Sequence, residues 1–87
     1  MNEALAAFKA LADDTRLKIL KELSAREMYI ELLAERLKLS PATISFHMKK
    51  LQAAGFVSPR REQYYVMYAL NEPALDMTLR SLIGPGE

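Results

Sequence analysis

The spacing of apolar residues along the chain predicts five helices. Apolar side chains recur at intervals of three and four residues, which is the repeat of a helix with one buried face. The repeat first runs through Glu3 to Leu11 and then from a cap at Asp13 to Leu23, and Leu17 is expected on the buried side of this second helix. It continues through Ile30 to Leu37. It returns in Ser40 to Ala54 and in a last helix that starts between Asn71 and Pro73.

Residues with special backbone roles support the ends of these helices. Asp13 and Ser40 are N-cap types, because their side chains accept hydrogen bonds from unpaired backbone N–H groups. Pro41 suits the first helical position, where the N–H that proline lacks would have no partner. Gly55 and the segment Gly84 to Gly86 suit helix ends, since glycine tolerates a left-handed cap.

Between the fourth and fifth helices, the pattern favours strands. Phe56-Val57 and Tyr64 to Leu70 have strand composition, and the second alternates between apolar and other positions. The polar segment Ser58 to Gln63 between them has the length of a hairpin connection. A further short extended segment is predicted at Met28-Tyr29.

The order of these elements indicates the fold. Ile30 to Leu37 and Ser40 to Ala54 are two short helices joined by a tight turn at Lys38-Leu39, and a hairpin follows them. This is the arrangement of a winged helix-turn-helix. We predict a mainly α fold with one small β-hairpin, in the order α-α-α-α-β-β-α, as a single domain over residues 1–87. Ser40 to Ala54 is its recognition helix and Val57 to Tyr65 its wing.

Composition suggests that one protomer has more apolar residues than it can bury. The chain has only 87 residues, enough for one small domain, and 51% of them are hydrophobic. We therefore expect a homodimer joined through the terminal helices, although these helices could instead pack on the core of their own subunit. The expected interface residues form the apolar stripes of the first and last helices: Leu5, Phe8, Leu11, Leu75, Leu79, Leu82 and Ile83.

Charge is unevenly distributed, although the net charge is only +1. Residues 36–61 contain no Asp or Glu, so that all eleven acidic residues lie elsewhere in the chain. A concentrated basic region suits a polyanion, because each Lys or Arg set against a phosphate releases counterions. An ordinary solvated basic surface is the alternative. The basic residues of this region are Arg36, Lys38, Lys49, Lys50, Arg60 and Arg61.

The fourth helix has a core side and a candidate DNA side. Ile44, Met48 and Leu51 have the spacing of one helix face and should point to the core. Opposite them, small and hydroxyl residues let the helix approach base edges closely, although Thr43 and Ser45 could also be ordinary solvated surface. The predicted DNA contacts of this part are Ser40, Pro41, Ala42, Thr43, Ser45 and Phe46.

The neighbouring residues allow more than one role. Phe46 either meets a thymine methyl group or folds back onto the hairpin. For His47, a structural role that also permits a phosphate contact is favoured over a role as ligand or catalytic base. The other predicted contacts are to the DNA backbone or the minor groove, and they come from Lys49, Lys50, Arg60, Arg61 and Gln63, with Tyr64 as a further neutral donor.

Several functional classes lack the residues that they need. Cysteine is absent and His47 is the single histidine, which disfavours thiol sensing and a metal site within one chain. No nucleophile–base pair or phosphate-binding glycine loop is evident, so an enzyme is not expected. No apolar run approaches the ~20 residues of a membrane span, and no signal peptide is evident. We predict a cytoplasmic protein without metal or cofactor.

Three stretches together carry a specific resemblance: ALADDTRLKIL, LLAERLKLSPATISFHMKKLQAAGFV and SPRREQYYVMYAL. Ser45, His47, Met48 and Leu51 fit the pattern S-x-H-L-x-x-L, with Met for the first Leu, and Arg60 to Glu62 fits R-R-E in the wing. Over about residues 4–83 the chain resembles the ArsR/SmtB family of bacterial transcription regulators. The resemblance implies a repressor that binds an imperfect palindrome as a homodimer paired through its first and last helices.

The chain departs from that family's pattern in three features. Tyr29 and Glu31 stand where metal-sensing members have a pair of cysteines, and the last helix offers Asp76 but no histidine for a second metal site. The usual sensors of the family are therefore not expected. Lys38 replaces a common turn glycine, which costs about 1 kcal/mol if the turn needs a left-handed backbone.

These observations predict a sequence-specific transcriptional regulator whose partners are double-stranded DNA and a second copy of itself. The recognition helix would enter the major groove, and the wing would contact the backbone or the minor groove. The alternative is a winged helix used as a protein-interaction or dimerisation module, with Phe46 as its anchor. The effector stays open, and so does the possibility that the chain is the DNA-binding part of a longer protein.

Overall fold

The computed structural model describes residues 3–84 and contains five helices and one antiparallel hairpin. None of these helices is long and apolar enough to cross a membrane. The predicted element order is confirmed, and α2 continues two residues past its predicted end at Leu23. The elements are α1 (Glu3–Leu11), α2 (Asp14–Ala25), α3 (Ile30–Leu37), α4 (Pro41–Ala53), β1 (Val57–Arg61), β2 (Val66–Leu70) and α5 (Glu72–Ile83).

Local hydrogen bonds explain why the helix starts could be predicted. The Asp13 carboxylate accepts a hydrogen bond from the backbone N–H of Arg16 at 3.0 Å. The Ser40 hydroxyl oxygen accepts one from the N–H of Thr43 at 3.1 Å. Each side chain satisfies an N–H that the first helical turn leaves unpaired. At the other end of the chain, Gly84 caps α5 at a φ of 93°. The remainder of its predicted stop signal, Pro85-Gly86, lies outside the described residues.

One apolar core joins α2, α3, α4 and the start of the hairpin. The predicted core side of α4 is confirmed, since Ile44, Met48 and Leu51 are fully buried. Leu17 was expected on the buried side of α2, but this was wrong, because its side chain is 52% exposed. At 3.6 residues per turn it lies on the opposite side of the helix from the fully buried Ile19.

The two strands of the wing differ from the predicted ones, because β1 extends into the polar segment and β2 begins at Val66, two residues later than predicted. Val57 pairs with Leu70 and Arg61 with Val66, so that residues 58–61 belong to β1 and not to the connection. Only the first residue of β1 is buried, and the rest of the strand faces solvent. Because residues 58–61 have no buried face, no apolar alternation marks this part of β1 in the sequence. Met28 forms an isolated bridge to Tyr68, as its predicted extended conformation requires.

The turn between α3 and α4 is built on a left-handed residue. Lys38 has φ 59° and ψ 45°, and its N–H donates to the carbonyl oxygen of Ala34. Leu39 donates to the same oxygen at 3.0 Å, which closes the turn. The left-handed backbone that the sequence suggested at Lys38 is therefore present, in a region that glycine occupies at lower cost.

We expect Lys38→Gly to raise the free energy of unfolding by about 1 kcal/mol, because glycine removes the clash between Cβ and the carbonyl oxygen at this φ. Urea unfolding followed by circular dichroism measures the change. Lys38→Ala is the control, since it removes the charge but keeps Cβ, and it should give no comparable gain. Equal stabilisation by both variants would assign the effect to charge instead.

The terminal helices lie against each other and expose apolar side chains. α1 contacts α5, yet within the described chain neither helix has a fully buried residue. The expected interface set divides into two groups. Phe8, Leu11 and Leu75 are half-buried, and the last two pack on the core. The exposed group comprises Leu5, Leu79, Leu82 and Ile83, with Ile83 80% exposed.

Candidate nucleic-acid interface

The first turns of α4 present small polar and apolar groups at the surface. Ser40, Pro41 and Ala42 are exposed, while Thr43 and Ser45 are half-buried. The Ser40 hydroxyl donates to Oγ1 of Thr43 at 3.0 Å, in addition to capping the helix. The cap therefore holds the Thr43 hydroxyl in place at the helix start. None of these five side chains is large enough to prevent the backbone at the start of α4 from closely approaching a binding partner.

Phe46 stays on the surface of α4. Its side chain is 56% exposed, and the edge of its ring packs on the ring of His47 at a centroid distance of 5.1 Å. The Lys50 ammonium lies 4.9 Å from the centre of the Phe46 ring, within the range of a cation–π contact. Both ring contacts are with residues of the same helix, so the outer side of Phe46 is available to a partner.

His47 belongs to a polar cluster that ties α4 to α1 and α2. Its Nδ1 lies 3.0 Å from Nη1 of Arg16 and 3.6 Å from Oδ2 of Asp13. Arg16 also donates from Nε to the carbonyl oxygen of Ala10 at 2.5 Å. The histidine is half-buried and has partners within the protein, which is the structural role that the sequence favoured. The structure does not test its predicted contact with a phosphate.

The same cluster stabilises the charged form of Asp13. The hydrogen bond from the backbone N–H of Arg16 lowers the pKa of the Asp13 carboxyl, against an opposing effect of desolvation. The charges of His47 and Arg16 lower this pKa further. Asp13 therefore carries its negative charge at neutral pH. This carboxylate lies at the start of α2, next to His47 and Arg16.

The basic region contains both paired and unpaired cations. Arg36 forms an ion pair with Glu22, and Arg60 pairs with both Glu27 and Glu62. These three carboxylates all lie outside residues 36–61. The sequence therefore did not show that the charges of Arg36 and Arg60, two of the six basic residues, are partly neutralised by ion pairs. By contrast, no ion pair or hydrogen bond of a side chain joins Lys38, Lys49 or Arg61 to another described residue, and these three side chains are exposed.

The tip of the wing carries polar side chains directed at solvent. Glu62 N–H donates to the carbonyl oxygen of Tyr65 at 2.8 Å and closes the turn between the strands. Gln63 and Tyr64 are exposed, and the Gln63 amide donates to the Tyr64 hydroxyl at 3.3 Å. Arg61 ends β1 next to this turn. The structure thus brings Arg61, Gln63 and Tyr64 together at one end of the hairpin.

A groove of about 690 Å³ separates the start of α4 from the wing, and sequence reasoning missed it. Its α4 wall contains Pro41, Ala42 and Ser45, which are all predicted DNA contacts. The opposite walls are rich in aromatic residues and come from the start of α3 and from the hairpin. The aromatic residues of the groove are Tyr29, Tyr64, Tyr65 and Tyr68.

Sequence comparison assigns the chain to a known protein family. The family model described as "Bacterial regulatory protein, arsR family" matches residues 13–58, which span α2 to the start of the wing. The chain is 33% identical over 76 residues to the transcriptional repressor SdpR of Bacillus subtilis, a match that covers 87% of this chain and 84% of SdpR. Several longer regulators also match, and the chain spans 64% to 66% of their lengths.

Solved structures agree with this assignment. An ArsR-like transcriptional regulator from Rhodococcus sp. RHA1 superposes with a TM-score of 0.85 at 35% identity, over 92% of this chain and 76% of that one. The homodimeric winged helix-turn-helix DNA-binding domain of Mb0332 from Mycobacterium bovis gives a TM-score of 0.81 at 27% identity, over 93% and 76%. With its winged helix-turn-helix fold, this chain belongs to the ArsR family of bacterial transcriptional regulators.

Proposed function

We propose that the protein is a sequence-specific repressor that binds an imperfect DNA palindrome as a homodimer. The observation that carries this proposal is the surface of α4. The exposed residues 40–42 at its start have no bulky side chains. Lys49 on the same helix is exposed and forms no ion pair with another described residue. A helix with small polar groups at its exposed start fits the major groove, where base edges are distinguishable.

The exposed apolar surface of the terminal helices supports the homodimer. Leu79, Leu82 and Ile83 of α5 are all exposed, and Leu5 of α1 adds to this surface. Burying such side chains against a second copy removes apolar area from water, which favours association. The similar Mycobacterium bovis domain is homodimeric. A two-fold dimer would read two half-sites about one DNA turn apart, ~10 base pairs or a small multiple.

The basic side chains of α4 and the wing have different expected roles in DNA binding. We assign phosphate contacts to Lys49, Lys50 and Arg61. Within residues 3–84, Lys49 and Arg61 form no ion pair, and the Lys50 ammonium contacts the Phe46 ring alone. Arg60 was predicted to contact DNA as well, and its ion pairs with Glu27 and Glu62 favour a second role. The pair with Glu27 joins β1 to the segment before α3 and so helps to position the wing, whereas the pair with Glu62 lies within the hairpin.

Selection of bound DNA from random genomic fragments tests the proposal directly. We expect an enriched palindrome, with half-sites spaced by about one helical turn, and binding that weakens steeply as salt is raised. Reporter expression from a promoter that contains this palindrome should fall when the protein is present. A selection without any enriched sequence, together with binding that is insensitive to salt, would refute sequence-specific DNA recognition.

Lys49→Ala should weaken binding to specific and random DNA by a similar factor, because a phosphate contact carries no sequence information. The slope of log K against log salt should become shallower by about 0.9 for each phosphate that the variant no longer neutralises. Titrations by fluorescence anisotropy at several salt concentrations measure both effects. Lys21→Ala removes an exposed lysine from α2, outside the basic region, and should leave the slope unchanged.

Thr43→Ala should reduce discrimination between sequences more than overall affinity. A base contact at this position would contribute about 1–3 kcal/mol of discrimination against the wrong base pair. The ratio of specific to random affinity should therefore fall about tenfold, while the salt slope stays the same. Ser45→Ala should act in the same direction at another base pair. If Thr43→Ala lowered both affinities equally, its hydroxyl would contact the backbone instead.

A further inference from the structure

All four tyrosines of the chain line the groove between α4 and the wing. Tyr29 precedes α3, whereas Tyr64, Tyr65 and Tyr68 belong to the hairpin. The rings of Tyr29 and Tyr65 pack at a centroid distance of 5.0 Å with 30° between their planes. Backbone hydrogen bonds in both directions between Met28 and Tyr68, at 3.2 and 2.8 Å, fix the two segments beside each other. The aromatic walls are therefore held by the fold.

The described lining of this groove carries one charged side chain, which is negative. Among the described residues that line it, Glu31 is the one charged side chain, and no Lys or Arg is present. Glu31 is exposed at the start of α3. The face of an aromatic ring carries negative potential and attracts cations within about 6 Å of its centre. Four phenol rings and a carboxylate thus form a locally electronegative groove beside a basic surface.

We propose that this groove binds an organic cation, namely a quaternary or protonated amine attached to an apolar body. The positive group would lie against the tyrosine rings near Glu31, and the apolar part would contact Ile30 and Val66. The volume of about 690 Å³ lies within the range of small-molecule sites in proteins. A phosphate of DNA is a poor occupant, because Glu31 would repel it.

Such a ligand would act on the DNA-reading part of α4. Pro41, Ala42 and Ser45 line the groove and also belong to the proposed DNA surface. A bound cation would occupy space beside these residues, so we expect it to weaken operator binding. This regulatory consequence rests on the proposed function, whereas binding of the cation does not depend on it.

Tyrosine fluorescence provides the first test, in the absence of DNA. The chain has no tryptophan, so its emission near 300 nm comes from the tyrosines of the groove. We expect benzyltrimethylammonium chloride to change this emission saturably in the millimolar range, at constant ionic strength. Benzyl alcohol, a neutral aromatic probe, should bind about tenfold more weakly or not at all. No saturable change with the cation, or equal affinity for both probes, would overturn the proposal.

Two charge-removing variants test whether Glu31 contributes to cation binding. Glu31→Gln keeps the size of the side chain but removes the negative charge, and it should weaken binding of benzyltrimethylammonium about fivefold. Glu35→Gln is the matched control, since Glu35 is exposed one turn further along α3 and does not line the groove. It should bind the cation as the wild type does. Equal affinity of the Glu31→Gln variant and the wild type would refute the assigned position.

The regulatory consequence is measured separately, on the palindrome obtained by selection. Saturating benzyltrimethylammonium should weaken binding to this DNA in the wild type and much less in Tyr65→Leu, which removes one stacked ring. The fluorescence titration of the same variant confirms that its affinity for the cation has fallen. If the cation binds wild-type protein but leaves DNA affinity unchanged, the site is real and its regulatory role is refuted. If no palindrome exists, the fluorescence result still decides the site.

Discussion

Leu79→Arg is expected to convert the proposed homodimer into a monomer and to lower affinity for the proposed operator by about a hundredfold or more. Leu79 lies among the exposed apolar side chains of α5, and a second copy of the chain would have to desolvate the new guanidinium without a partner for it. An unpaired charge in such an interface costs several kcal/mol, and each 1.4 kcal/mol is a factor of ten in affinity. Sedimentation equilibrium measures the mass, and anisotropy titration measures the DNA affinity.

Ser81→Arg provides the matched control for this experiment. It adds the same charge to the same helix, but Ser81 lies on the opposite side of α5 from Leu79 at 3.6 residues per turn. Its mass and DNA affinity should resemble those of the wild type, and circular dichroism should show that both variants are folded. An unchanged mass for Leu79→Arg would show that α5 is not the dimer contact.

The second large effect is expected at Phe56, where Phe56→Ala should lower the free energy of unfolding by about 3–5 kcal/mol. Phe56 is 1% exposed and joins the helices to the base of the wing. Its N–H donates to the carbonyl oxygen of Leu51, and its own carbonyl oxygen accepts from Asn71. Small domains are stable by only about 5–15 kcal/mol, so urea unfolding should show a large shift of the midpoint.

Phe46→Ala makes the same chemical change at an exposed position and separates folding from binding. Because the Phe46 ring faces solvent, its removal should change stability by less than about 1 kcal/mol. DNA affinity should fall instead, since alanine is too short to reach the thymine methyl group proposed as the partner of this ring. If Phe46→Ala destabilised the protein as much as Phe56→Ala, the exposed position of Phe46 would be contradicted, and unchanged DNA affinity would remove Phe46 from the interface.

Much of the helical architecture could be predicted because its signals are local. Asp13 and Ser40 each accept a hydrogen bond from an N–H three residues away, so their effect is visible in a short segment of sequence. The left-handed backbone of Lys38 was instead indicated by the family resemblance, since Lys38 stands where a turn glycine is common. The exposure of Leu17 was not, because which side of α2 is covered depends on how α1, α3 and α4 pack around it.

The candidate site was predicted only in part, and for a related reason. The exposed start of α4 follows from helical spacing within one element. The ion pairs of Arg60 and the tyrosine groove instead join the segment before α3 to the hairpin. They depend on the bridge between Met28 and Tyr68, which are far apart in the sequence. The order of charges along the chain cannot show that Glu27 reaches Arg60 across this bridge.

The sparse burial of α1 and α5 also affects how the stability of this protein should be measured. Neither helix has a fully buried residue within the described protomer, so the proposed association would bury the apolar surface that folding leaves exposed. Folding and association would then be one coupled equilibrium, in which the thermal midpoint rises with protein concentration. Dilution would lower the melting temperature, and unfolding curves of variants are comparable only at the same protomer concentration.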